Sequence, residues 1–205
     1  MGMINEVKLA GVASTKPVEE EKFNGESICS FVLTVCNNDK TDNILVRVSD
    51  RFIDFKKIDI GAYVQLRGTL RSVNKSDGNK RLIVSVFVSS MKVLDEVPAE
   101  YENEVKIQGT LCSRYYYKEA SDNRPQVCDR MIQSVRNAGK KSSIPVACRG
   151  RNAEYLSTLE TGSLITCEGV LRERKYRKLI NGESKLITTI EVAASTIICS
   201  VEGNS

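Results

Sequence analysis

The amino-acid sequence predicts an all-β protein: two small five-stranded barrels in tandem, each with a short helix between its third and fourth strands. Three observations carry that expectation. Apolar and polar residues alternate with period two through most of the chain, as in strands with one buried face. The runs occur twice in the same order. Glycines stand at matching places in both copies, one ahead of a run and one inside it, as in IDIGAYVQLRGTL at 58–70 and LETGSLITCEGVL at 159–171.

The elements follow in order. Val7, Leu9 and Gly11 alternate with Glu6, Lys8 and Ala10. Phe31, Leu33 and Val35 form a second run, and Ile44, Val46 and Val48 a third. The stretch DRFIDFKKIDI then places apolar residues at 52, 55 and 58, a helical spacing that assigns Phe52 and Phe55 to the core, with Tyr155 in the second copy. Gly61 and Gly162 are read as the left-handed stops of these helices. A fourth run holds Val64, Leu66, Gly68 and Leu70, and a fifth Leu82, Val84, Val86 and Val88. A glycine on the buried side of a strand marks a bend or a close backbone approach, so Gly68, Gly169, Gly11 and Gly109 are expected at such points. Three strands, a helix and two strands is the plan of the OB-fold.

The second copy repeats the first segment by segment. NEVKLAG (5–11) returns as NEVKIQG (103–109), and FVLTVCN (31–37) more loosely as MIQSVRN (131–137). ILVRVSDR (44–51) matches IPVACRGR (144–151), and GNKRLIVSVFV (78–88) matches GESKLITTIEV (182–192). The periodic segments keep their length while the connections between them vary, as loops on a fixed scaffold do. The expected division is an N-terminal domain over 1–96, a short linker over 97–103, and a C-terminal domain over 104–205.

Composition narrows the chemistry. The chain of 205 residues contains no histidine, which removes Ser-His and Cys-His nucleophilic sites. No phosphate-cradling glycine loop of the GxxxxGK[ST] or GxGxxG type occurs. The seven cysteines are odd in number and never spaced as CxxC, which points to reduced thiols and against a zinc site. No cofactor, no metal and no enzymatic activity are expected. No export signal or membrane-spanning run is recognised, so a cytoplasmic location is expected, away from membranes. The net charge of +4 is mild, so any surface for nucleic acid has to be local.

NEVxLxG near the start, FxLxV in the second run, and DxGxxVxLxGxL followed by a turn and GxKRLxVxV resemble the bacterial single-stranded DNA-binding protein (SSB) family, in a tandem OB-fold form, with PriB-like proteins as relatives. The resemblance covers residues 5–94 and, more weakly, 103–199. It implies non-catalytic, largely sequence-independent binding of single-stranded DNA in replication, recombination or mobile-element maintenance. By the same analogy two chains pair as a homodimer. The alternative is a PriB-like protein-interaction module in which DNA is secondary. The chain departs from the family in lacking tryptophan, and Asn43, Ser49, Ser143 and Arg149 stand where that family sets aromatics around its third strand. The residues do not distinguish DNA from RNA.

Unpaired nucleic acid is held by cations along its backbone and flat side chains under its bases. The leading candidate is RERKYRK, where Arg172, Arg174, Lys175, Arg177 and Lys178 surround Tyr176 and only Glu173 opposes them; it is placed where the fourth strand enters its hairpin loop. Its thinner counterpart in the first copy holds Arg71, Lys75, Lys80 and Arg81. Tyr115, Tyr116 and Tyr117 are placed just after the first strand of the second copy, and alternation cannot bury all three. Arg47 is expected to point outward between Val46 and Val48. Arg149 and Arg151 close the matching strand, and Lys140 and Lys141 sit in the turn before it. Pro145 in that strand predicts an edge or bulge.

Overall fold

A computed structural model describes residues 3–23, 25–37, 40–75, 81–96, 101–121, 123–136, 139–180 and 182–200. The protein is nearly all β: among the described residues there are eleven strands and one α-helix. The chain groups into two compact units. One contains residues 6–104 and 171–190, the other 1–5, 105–170 and 191–205. Residues 171–190, a stretch of the second sequence copy, thus belong with the first.

In the unit containing 6–104, the strands are β1 (Asn5–Ala13), β2 (Val18–Phe23), β3 (Glu26–Asn37), β4 (Lys40–Ser49), β5 (Tyr63–Lys75) and β6 (Arg81–Leu94). They pair in the order β1-β5-β6-β4-β3-β2. The long antiparallel ladders are β3–β4, from Ile28↔Ser49 to Asn37↔Lys40, and β5–β6, from Tyr63↔Leu94 to Lys75↔Arg81. β3 returns to β1 at Val12↔Thr34 and Ala13↔Leu33, so the pairing closes on itself. Leu9, Phe31, Leu33, Ile44, Leu66 and Leu70 are fully buried inside. Alternation named these residues correctly because a period of two puts every second side chain on the same face.

Two features differ from the sequence expectation. β2 is an additional strand, VEEEKF, antiparallel to β3 from Val18↔Ser30 to Phe23↔Glu26. Its run of glutamates has no apolar period to reveal it; it is an edge strand with charged residues, which resist further pairing. The helix expected over 50–60 is reduced to one 3₁₀ turn, Phe55–Lys57, capped by the Asp54 carboxylate accepting from Lys56 N at 3.1 Å. One turn buries only Ile58, and Phe52 and Phe55 are half-buried rather than core.

In the other unit lie parts of β7 (Asn103–Lys118), β10 (Leu164–Ile180) and β11 (Glu183–Ser200), with β8 (Val127–Val135), β9 (Lys141–Arg149) and the helix α1 (Arg151–Thr158). The order is β7-β8-β9-β11-β10, and β10 returns to β7 from Leu164↔Thr110 to Gly169↔Val105. Pro145 marks neither an edge nor a bulge: β9 lies between β8, with which it pairs without a register shift through Met131↔Pro145, and β11, which it meets at Val146 and Ala147. α1 buries Ala153 and Leu156 but leaves Tyr155 exposed, contrary to the core assignment. Leu156 O and Leu159 O at its end accept from Arg130 Nη1 at 3.2 and 2.7 Å, which satisfies carbonyls the helix cannot.

The paired glycines have two distinct tasks. Gly61 and Gly162 do not end helices. Each has positive φ, +90° and +95°, and is the third residue of a tight turn closed by Ala62 N to Asp59 O and by Ser163 N to Glu160 O. A positive φ at that position is what a type II turn requires. Each glycine N–H also donates to the first strand of its unit, Gly61 to Ala13 O at 2.8 Å and Gly162 to Leu111 O at 2.9 Å. The second pair marks close backbone approach. A Cβ on Gly68 would stand 2.5 Å from Phe87 O, and one on Gly169 2.1 Å from Ala193 O. At Gly68 the β5–β6 register also shifts, which bends the strand. No helix among the described residues is long and apolar enough to cross a membrane.

Candidate nucleic-acid interface

The cation-rich segment 172–178 is not a loop. β10 runs unbroken to Ile180, so the segment is the outer half of a long strand. Exposure changes along its length: Arg172, Glu173 and Arg174 are half-buried, while Lys175, Tyr176 and Arg177 are exposed. The Lys178 side chain lies outside the described residues. Glu173 is 11% exposed, and its Oε1 takes an ion pair from Lys175 Nζ at 2.6 Å. That hydrogen bond, with a further one from Asn43, holds the Glu173 carboxyl below the usual carboxylate range.

Two anchors fix the segment inside its unit. The Asn103 side-chain amide brackets Leu171, donating to its carbonyl at 3.0 Å and accepting from its N–H at 2.9 Å. Glu173 N donates to Asp42 Oδ1 at 2.9 Å. Residues 171–190 thereby stand beside the outer side of β3 and β4. Between them is a cavity of about 200 Å³, walled by Val32, Leu45, Ile83, Val84 and Ile190, with Asn43, Arg81, Glu173, Thr188 and Thr189 as its polar lining.

The remaining candidates are dispersed. Arg47 is not a free outward cation: it is ion-paired with Glu20 of β2, and its side chain is only 19% exposed. The missed strand is the reason, since β2 extends the sheet beyond β3 and brings Glu20 to the Arg47 side chain. Arg71 stacks over the Phe87 ring, its guanidinium carbon 3.4 Å from the centroid, a cation–π pair that spacing alone does not reveal. Arg81 is exposed at the start of β6. Lys80 and the Lys75 side chain lie outside the described residues.

In the other unit, Arg149 ends β9 and Arg151 begins α1, both exposed, as are Lys140 and Lys141 before and at the start of β9. The three tyrosines lie within β7, not after it: Tyr116 is 55% exposed and Tyr117 half-buried, and the Tyr115 side chain lies outside the described residues. β7 reaches that far because β8 pairs with it, from Tyr115↔Arg130 to Lys118↔Val127, after a register shift that sequence alternation hides.

Sequence reasoning missed Asn43, Glu173 and Thr189 as a group. They lie far apart in the chain, and Glu173 read only as a charge opposing its neighbours. Four of the seven cysteines are buried and three are half-buried. Cys128, Cys148 and Cys167 are buried, and burial raises all three thiols, Cys167 up to about 12. No disulfide joins the cysteines.

No protein-family model and no curated protein sequence matches this chain. Solved structures do. The wild-type single-stranded DNA binding protein from Thermus aquaticus superposes with a TM-score of 0.76 at 16% identity, covering 100% of this chain and 97% of that one. A deletion variant of the same protein gives 0.78 at 17% identity, covering 100% and 98%. At such identity the likeness is one of fold, and this chain shares the fold of the Thermus aquaticus single-stranded DNA binding protein.

Proposed function

We propose that the chain is two OB-fold barrels in tandem, over 1–96 and 104–205 with a linker at 97–103, and that it binds single-stranded DNA without chemistry. The observation that carries this is the full-length fold likeness, covering 100% of the chain, to a protein that binds single-stranded DNA. The outer half of β10 supports it locally. Lys175, Tyr176 and Arg177 present two cations and one ring to solvent on a single strand, the combination that captures phosphates and stacks a base. Tyr116 with Arg149, Arg151, Lys140 and Lys141 supplies further exposed groups of the same two types. Binding is sequence-tolerant along most of its path, because every base has a face to stack and every nucleotide a phosphate.

Titration of labelled oligo(dT) at a series of salt concentrations tests the proposal. Expected is tight binding at low salt that weakens linearly on a log–log scale as salt rises. Absence of binding at any salt would favour a protein-docking role instead. The same titration with oligo(U) decides between DNA and RNA, and sedimentation at several protein concentrations tests whether two chains pair.

A further inference from the structure

We infer that the cavity between β3–β4 and residues 171–190 is a pocket for one nucleobase, and that it reads an imino N–H flanked by a carbonyl, as in thymine, uracil or guanine. The inference rests on the proposed single-stranded nucleic-acid binding and adds one base-reading position to an otherwise tolerant path.

Size is the first argument. About 200 Å³ is several times the volume of one water molecule and below the roughly 300–1,000 Å³ of pockets for drug-sized ligands. A single flat ring suits it, while a whole nucleotide with its phosphates does not. Val32, Leu45, Ile83 and Ile190 offer apolar walls for the faces of such a ring.

The lining supplies the second. Thr189 Oγ1 is buried with no hydrogen-bond partner, although native buried hydroxyls are nearly always paired. An incoming polar edge would complete it. The Glu173 carboxylate is an acceptor only, and so selects an N–H; the Arg81 guanidinium is a donor only, and so selects a carbonyl. Glu173 is kept ionised by Lys175 and Asn43, and Asn43 is oriented by Thr34 Oγ1 donating to its Oδ1 at 2.8 Å. Thymine presents N3–H beside O4, and guanine N1–H beside O6. Cytosine has no imino N–H; its N4 amino group can meet the carboxylate only in a shifted pose, which brings N3 rather than a carbonyl to the guanidinium.

Position is the third. Lys175 and Arg177 follow Glu173 on the same strand and are exposed, so a backbone tracking along them passes the pocket mouth.

The test compares dT and dC homopolymers of equal length by fluorescence anisotropy with the full chain, alongside Thr189→Val and Glu173→Gln. Homopolymers make every binding register equivalent, and the dT:dC affinity ratio cancels the shared phosphate term. The wild type should favour dT by about tenfold. Thr189→Val, which removes a hydroxyl while keeping the shape, should lower that ratio several-fold, leave the salt slope unchanged, and leave the melting temperature equal or higher. Glu173→Gln should lower the ratio while raising affinity for both polymers, since it removes a negative charge. If Thr189→Val does not fold, Glu173→Gln alone decides through the ratio. Equal dT and dC binding in the wild type, or variants that weaken both polymers alike, overturns the pocket while the proposed function stands. No binding to either polymer overturns both.

Discussion

The two sequence copies carry one backbone plan under two different surfaces. In the first copy the outward cation of the third run, Arg47, is neutralised by Glu20 on the additional strand β2, and Arg71 is folded down over Phe87. In the second, Arg149, Arg151, Lys140 and Lys141 are exposed, and the fourth run continues into a cationic strand that leaves Tyr176 and Arg177 in solvent beside an exposed Lys175 paired with Glu173. The turn glycines, the close-approach glycines and the buried alternation are common to both. Strand pairing and burial thus constrain the inside of the copies alike, whereas the outside is free to diverge.

The shared inside is the place to break the comparison hardest. Gly169→Ala and Gly68→Ala would push a Cβ to 2.1 and 2.5 Å from a backbone carbonyl oxygen, which no rotamer change relieves. Each should cost about 3 kcal/mol or more, read from urea unfolding. Gly109→Ala, at 3.0 Å from Gln133 O, should cost less than its first-copy counterpart Gly11→Ala, at 2.3 Å from Thr34 O. Equal costs would mean the copies do not share this constraint in graded form.

Alkaline pH should separate the units next. In the unit containing 105–170, Cys167 rises from an ordinary 9.0 to about 12, with burial as its cause. A thiol whose folded-state pKa is raised contributes its stability below the unfolded pKa and loses it as pH rises through the folded one. Stability should therefore fall between about pH 9 and 12, by about 1.4 kcal/mol per pH unit for this thiol, and Cys167→Ala should remove that part of the slope. A pH-independent unfolding midpoint over that window would contradict the burial.

The outer surfaces give smaller effects. Arg174→Ala, Lys175→Ala and Arg177→Ala together should flatten the log–log salt dependence of oligo(dT) binding by about two to three units, while the matched removal of Arg71 and Arg81 should flatten it less. Smallest is Glu20→Gln. Freeing the partly exposed Arg47 should alter stability by less than about 1 kcal/mol and raise affinity at low salt by a few-fold at most, both read from the same titrations. Equal responses of the two copies would erase the surface difference.

How much was legible depended on the range of the signal. Alternation located Leu9, Leu33, Ile44, Leu66 and Leu70 in the core, because a strand with one buried face writes its period directly into neighbouring residues. It failed at β2, where an edge strand of glutamates has no apolar face to write, and at 50–60, where helical spacing of Phe52 and Phe55 was satisfied by a single 3₁₀ turn. It also misplaced RERKYRK as a loop, since an exposed strand extension looks polar on both faces.

By itself the sequence determined the nearly all-β class, the order of the strands that repeat, and the glycine positions, all set by local sterics and a two-residue period. Only the tertiary structure decided that Glu20 covers Arg47, that Arg71 lies on Phe87, and that Asn43, Glu173 and Thr189 line one cavity. Such meetings depend on how strands distant in sequence pack together, and no local period encodes that.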